Sequence, residues 1–177
     1  MLTILAISGS TRAQSTNTLI LQFLQRQFAD SIHIELFEGL ANLPHFNPDL
    51  DKAPLPESVV ELRNKIDRAD GVIFCTPEYV FSLPGALKNA IEWTVSTTVF
   101  SEKPVALITA STEGTKAHEA LNLIMRTIYS NVNEQTNLLL QGVRGQFDTE
   151  GNIKNKHLKQ ELCKLMEAFL EIIKLIT

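Results

Sequence analysis

Leu2-Thr3-Ile4-Leu5-Ala6-Ile7 runs without a break into Ser8-Gly9-Ser10-Thr11-Arg12-Ala13-Gln14-Ser15-Thr16-Asn17-Thr18, and helical periodicity sets in at Leu19. An apolar run of strand length, a polar arc and then a helix make the opening unit of a sheet whose strands are joined by helices. The same grammar recurs along the chain. Apolar runs at 32–37, 71–76, 105–110 and 132–140, the last the least regular, alternate with helical patterns over 18–28, 57–69, 86–95 and 116–128. A closing helix puts Leu158, Leu162, Leu165, Met166, Phe169, Ile173 and Ile176 on one face and lysines and glutamates on the other. Strands that are apolar throughout belong to a parallel sheet covered on both faces, because right-handed crossovers lay helices on both sides. The expectation is a doubly wound α/β sheet of five parallel strands in the order 2-1-3-4-5, forming one domain over residues 1–177.

A chain of 177 residues can bury a core without a disulfide or metal staple. Its 44% hydrophobic and 20% charged composition favours a globular domain over a disordered or membrane class. The net charge of −4, with no basic stripe, argues against a nucleic-acid partner. Cys75 and Cys163 lie far apart and form no CxxC pair, so neither a disulfide scaffold nor a zinc site is expected. That cysteine usage points to a reducing compartment, the cytoplasm by default. The opening apolar run has no basic flank and is too short for a signal peptide or a membrane span. His33, His45, His118 and His157 show no ligand spacing, so no metal is expected. Between 38 and 56, Pro44, Pro48 and Pro54 with Phe46 and Asn47 mark a long ordered loop or short insertion.

In doubly wound sheets ligands sit beyond the carboxyl ends of the strands, so the segments that follow strands are where function is sought. After the first strand, the hydroxyls of Ser10, Ser15, Thr16 and Thr18, the Asn17 amide and the start of a helix can converge on a phosphate, with Arg12 supplying charge. The loop has neither Gly-x-Gly-x-x-Gly nor Gly-Lys-Ser/Thr, so a terminal monophosphate fits better than a dinucleotide pyrophosphate or a Walker-type site. The alternative is that Ser15 or Thr16 only caps the helix.

After the third strand comes Pro77-Glu78-Tyr79-Val80-Phe81-Ser82-Leu83-Pro84-Gly85. Pro77 keeps Thr76 extended and Pro84 starts the next helix, so this loop is held at both ends and can present Tyr79 and Phe81 to a planar ligand. Glu78 is either part of that surface or an ordinary surface carboxylate, and Cys75 reads as a small buried hydrophobe. Trp93 falls outside the main apolar stripe, as a half-buried core residue or a subunit contact. After the fourth strand, 111–115 offers Ser111, Thr112 and Gly114 either as ligand neighbours or as a helix cap.

Gly9-Ser10-Thr11-Arg12 with Ser15 and Asn17, followed by Pro77-Glu78-Tyr79 and by Pro84-Gly85-Ala86-Leu87-Lys88-Asn89-Ala90-Ile91-Glu92-Trp93, resembles the NADPH-dependent FMN reductase family, which includes quinone, azo-dye and chromate reductases. Phe46-Asn47-Pro48-Asp49-Leu50 and Phe147-Asp148-Thr149-Glu150-Gly151 extend the likeness over nearly the whole chain. The resemblance implies a flavodoxin-like fold in which Ser10, Arg12, Ser15, Thr16, Asn17 and Thr18 surround the FMN phosphate. Pro77, Glu78, Tyr79 and Val80 would line the isoalloxazine, with Ser111, Thr112 and Gly114 as further flavin neighbours. It also implies NADPH or NADH as co-substrate, a small-molecule electron acceptor and a homodimer or homotetramer, with no nucleic acid and no membrane. Ping-pong hydride transfer through the flavin N5 would require no catalytic residue of the chain. Two rivals carry less: a flavodoxin-type electron carrier, against which the mild charge and Arg12 speak, and a flavin-free interaction module.

Overall fold

The computed structural model describes residues 1–143, 145–148 and 151–176. Five strands, β1 (Thr3–Ser8), β2 (His33–Phe37), β3 (Gly71–Thr76), β4 (Pro104–Ser111) and β5 (Asn131–Gln141), form an all-parallel sheet in the order β2-β1-β3-β4-β5. The helices are α1 (Thr16–Gln27), α2 (Glu57–Arg68), α3 (Gly85–Glu92), α4 (Thr115–Thr127) and α5 (Lys156–Ile176). This is the flavodoxin-like doubly wound topology expected from the alternation of runs.

Both faces of the sheet are buried, which is why its strands carry apolar residues at consecutive positions. Ile4 and Ala6 of β1 turn to one core, packed with Ile20 and Leu24 of α1 and Phe169 and Ile173 of α5. Leu5 and Ile7 turn to the other, with Val59 and Leu62 of α2, Leu87 of α3 and Leu121 of α4. Gly71 opens β3 opposite Ile4, and a Cβ there would come within 2.7 Å of the Phe169 ring, so glycine lets α5 lie flat on the sheet.

Several elements differ from the sequence reading in informative ways. Helix α1 begins at Thr16 rather than Thr18 because the Ser15 hydroxyl accepts the Asn17 N–H at 3.2 Å and caps it. The irregularity of β5 is a register break. Val105 pairs with Val132 but Leu107 with Asn137, and buried Thr136 donates from inside the bulge to the Val105 carbonyl at 3.1 Å. Helix α3 ends at Glu92, and Trp93 is fully buried: its Nε1–H donates to Pro44 O at 2.7 Å and its ring meets Phe46 edge-on at 5.2 Å. Trp93 is therefore core and not a subunit contact.

The same contacts order the long loop, which contains short 3-10 turns at Gly39–Asn42 and Pro48–Leu50. Asn89 accepts the Phe46 N–H at 2.7 Å and donates to Pro44 O at 3.0 Å. Arg63 of α2 clamps the far end, donating to Trp93 O at 2.7 Å and to Asp51 at 2.6 Å. Among the described residues no helix is long and apolar enough to cross a membrane.

Candidate active site

Beyond the carboxyl ends of β1, β3 and β4 lies a cleft of about 400 Å3. Its first wall is the β1–α1 loop. The Gly9 N–H donates to Cys75 O at 2.8 Å and carries the β1–β3 pairing one residue past Ser8. A Cβ on Gly9 would lie 2.3 Å from the Thr76 Oγ1, so the loop can leave this close to β3 only as glycine. Ser10 follows, buried, its Oγ accepting the Arg12 N–H at 3.3 Å. Arg12 is exposed, and its guanidinium makes no hydrogen bond or ion pair among the described residues. Ser10, Arg12, Ser15 and Thr16 all line the cleft, at the end of α1 where backbone N–H groups lack helical acceptors and the dipole is positive.

Asn17 also borders the cleft, but its side chain is committed to the sheet. It accepts the Cys75 Sγ–H at 3.3 Å and donates to Ala110 O at 3.4 Å, tying α1 to β3 and β4. Cys75 itself is fully buried, and burial pushes its thiol well above the ordinary range, which rules it out as a nucleophile. Thr18 does not face the cleft. Two residues into α1, its hydroxyl donates to Ser8 Oγ at 3.0 Å, and Thr18 lines a different cavity, beside β2.

The opposite wall is the β3–α3 loop. Pro77, Glu78 and Tyr79 line the cleft as expected. Glu78 is not a free surface carboxylate: it lines the cleft, and its Oε2 accepts the Ala117 N–H at 2.9 Å. Helix α4 starts from Gly114, which has φ +86° and no side chain to offer, so the cap comes from a loop 39 residues away. Gly114 accordingly serves helix entry and lies outside the cleft lining, whereas Ser111 and Thr112 line it.

Val80 lies outside the lining too. Tyr79 and Ser82 exchange backbone hydrogen bonds at 3.0 and 3.1 Å, making a two-residue turn with Val80 at φ 51° and Phe81 at φ 55°. Both tip side chains point to solvent, Val80 96% and Phe81 75% exposed, while Tyr79 behind them stays at the cleft. Three lining residues, Gln14, Ala110 and Val143, escape the sequence reading. Val143 follows β5, and the rule that ligands gather at strand ends could have included it. Thr149 and Glu150 of the segment at 147–151 lie outside the described residues.

A 2-1-3-4-5 sheet with a hydroxyl-rich, arginine-bearing loop running onto a helix at its strand ends defines a flavodoxin-like protein with a candidate site at that edge. The family model for NADPH-dependent FMN reductase matches residues 2–139, and the chain belongs to that family. It is thereby an oxidoreductase that works with FMN and NAD(P)H. The NADH:(hydroxy)cinnamate reductase subunit CrdA of Vibrio ruber is 33% identical, over 98% of this chain and 88% of its own length. The NADH-dependent flavin reductase subunit 2 of Lactobacillus johnsonii is 37% identical over 77% of this chain and 74% of its own. Among solved structures, FerB, a flavoenzyme NAD(P)H:(acceptor) oxidoreductase from Paracoccus denitrificans, superposes with a TM-score of 0.88 at 27% identity, covering 98% of each chain.

Proposed function

We propose that the cleft holds FMN with its phosphate on the β1–α1 loop and its ring toward Tyr79, and that the protein uses NAD(P)H to reduce small acceptors of the quinone, azo or flavin kind. One observation carries this reading: Ser10, Arg12, Ser15 and Thr16 at the α1 N-terminus face Pro77 and Tyr79 across one cleft. Hydroxyls, helix N–H groups and one guanidinium form a donor set suited to a dianion. Bound there, the flavin supplies the chemistry of taking two electrons from a nicotinamide and passing them on.

The chain's own residues bind and orient. Arg12 and the helix end neutralise the phosphate, and Pro77 fixes the exit of β3. Glu78, held by Ala117, keeps the second loop at a set distance from α4. Tyr79 gives the planar ring an aromatic neighbour. The acid–base candidates at the cleft are few: Glu78 has one oxygen committed to α4, and the buried Cys75 thiol lies outside the lining and donates to Asn17. This composition suits a site whose protein part is preorganised for positioning rather than for proton transfer. Relatives named as subunits support an assembly of more than one chain, and two free cysteines suit the cytoplasm.

The test is an absorbance spectrum of purified or FMN-reconstituted protein, taken without oxygen. Oxidised-flavin bands that bleach on adding NADH or NADPH are expected; bands that neither nucleotide bleaches would contradict the reading.

A further inference from the structure

A second cavity opens on the other side of the β1–α1 loop. It holds about 260 Å3 between β1, α1 and the carboxyl end of β2. Buried Ala6, Leu21 and Leu40, with half-buried Leu36, give it apolar walls. The hydroxyls of Ser8 and Thr18 in its lining are already bonded to each other at 3.0 Å. Gln22 and Glu38 are different. Neither side chain has a hydrogen bond or ion pair among the described residues, and Glu38 gives no side-chain cap to the 3-10 turn that it precedes.

Size limits the occupant first. An apolar cavity of roughly 150 Å3 holds one benzene ring, whereas drug-sized ligands fill roughly 300–1,000 Å3. A volume between the two takes a single ring with one or two small substituents. Hydrogen-bond polarity limits it further. An ionised carboxylate only accepts, so Glu38 favours an occupant with O–H or N–H groups and gives nothing to one that carries acceptors alone. Quinone carbonyls and azo nitrogens are acceptors alone; reduction turns them into hydroxyls and amines, which donate. Anionic rings are disfavoured by the same charge. An uncharged ring also leaves Arg12, which lines both cavities, to a phosphate in the cleft.

We infer that the cavity between the β1–α1 loop and Glu38 is a second binding site, for uncharged single-ring aromatics that bear hydroxyl or amine donors. The ring lies against Leu21, Leu36 and Leu40, and its donor goes to the Glu38 carboxylate. The site thus tells a quinol or arylamine from the quinone or azo compound it came from, and it fills with FMN still in the cleft. The inference rests on the proposed function only in expecting such reduced rings as products.

Backbone amide shifts of the isotope-labelled full chain are followed by NMR without oxygen, before and after loading with FMN. The probes are hydroquinone and 1,4-difluorobenzene, a ring of similar size without donors. The same titrations are run on Glu38→Ala and Ala41→Phe. Both positions are exposed and Glu38 is unpaired, so the variants keep the fold. In the parent, hydroquinone shifts Gln22, Glu38 and Ala41 with and without FMN, and binds about tenfold more tightly than 1,4-difluorobenzene. Glu38→Ala loses about tenfold for hydroquinone and keeps its affinity for 1,4-difluorobenzene. Ala41 lines the cavity, and Ala41→Phe, which fills it, shows neither probe there. Hydroquinone that leaves these amides unmoved, that FMN displaces, or that either variant binds as well as the parent does overturns the inference. Failure of FMN itself to bind falls on the flavin reading, and the titration of the flavin-free chain still decides the cavity.

Discussion

Val80 and Phe81 sit in the left-handed region without packing to hold them there. A two-residue turn of this kind favours Asn-Gly, and a β-branched residue at positive φ is strained by about 1 kcal/mol or more. Val80→Asn should therefore raise the melting temperature by about 2 to 4 °C in a domain of this size. An unchanged melting temperature would mean that the turn is unstrained. Because the tip flanks Tyr79 at the cleft, the same variant should also change the relative rates with quinones and azo dyes. An unaltered acceptor profile would show that the tip never meets the acceptor. Asp51 carries a pH signature. Burial alone would raise its carboxyl, but hydrogen bonds from Ser96 and Arg63 and the Arg63 charge hold it below the usual carboxylate range. A lowered folded value contributes stability that is present above the unfolded value and lost as pH falls through the folded one. Acid unfolding followed from about pH 5 to pH 2 should be shallower for Asp51→Asn than for the parent, and identical slopes would refute the Asp51 contribution.

At the scale of elements, strands and helices were legible because each buried surface imposes its own period on nearby residues. What stayed hidden depends on residues far apart in the chain. Ser15 as a helix cap is a local signal and could be read. Glu78 as the cap of α4 could not, because the carboxylate and the N–H it accepts are 39 positions apart and meet only after the β3–α3–β4 crossover has folded. The same holds for Asn17, whose partners Cys75 and Ala110 lie 58 and 93 positions away. Ser15 and Thr16 just before it line the cleft, and only the packed sheet shows that the Asn17 side chain turns inward. Two variants separate these roles from ligand contact. Glu78→Ala should cost about 1 kcal/mol of stability through the lost cap, seen as a lower melting temperature of the flavin-free protein. Asn17→Ala should weaken FMN and riboflavin alike, since it loosens the loop without removing a phosphate donor. A selective loss of FMN in Asn17→Ala would return that side chain to the phosphate.

For the whole molecule, the doubly wound sheet gathers its loops at one edge, and Arg12 is the one cationic side chain among the described residues that line the cleft there. Five of the six residues assigned to the phosphate line the cleft; of these Ser10, Arg12, Ser15 and Thr16 open onto it with no other assigned task than the Ser10 and Ser15 turns. Asn17 is tied to the sheet, and Thr18 points to the cavity beside β2. The sequence could place the loop but not the direction of each side chain, because the two-residue step on α1 from Thr16 to Thr18 moves a hydroxyl from one cavity to the other. The central claim is that this loop binds a phosphate dianion rather than only starting a helix. It is tested by titrating FMN and riboflavin, which differ by that phosphate, into the parent and into Arg12→Ala and Ser10→Ala. Hydrogen bonds to charged groups contribute about 1.5 to 3 kcal/mol, so each variant should bind FMN about one to two orders of magnitude more weakly while riboflavin affinity holds. Equal losses for the two ligands would contradict the account.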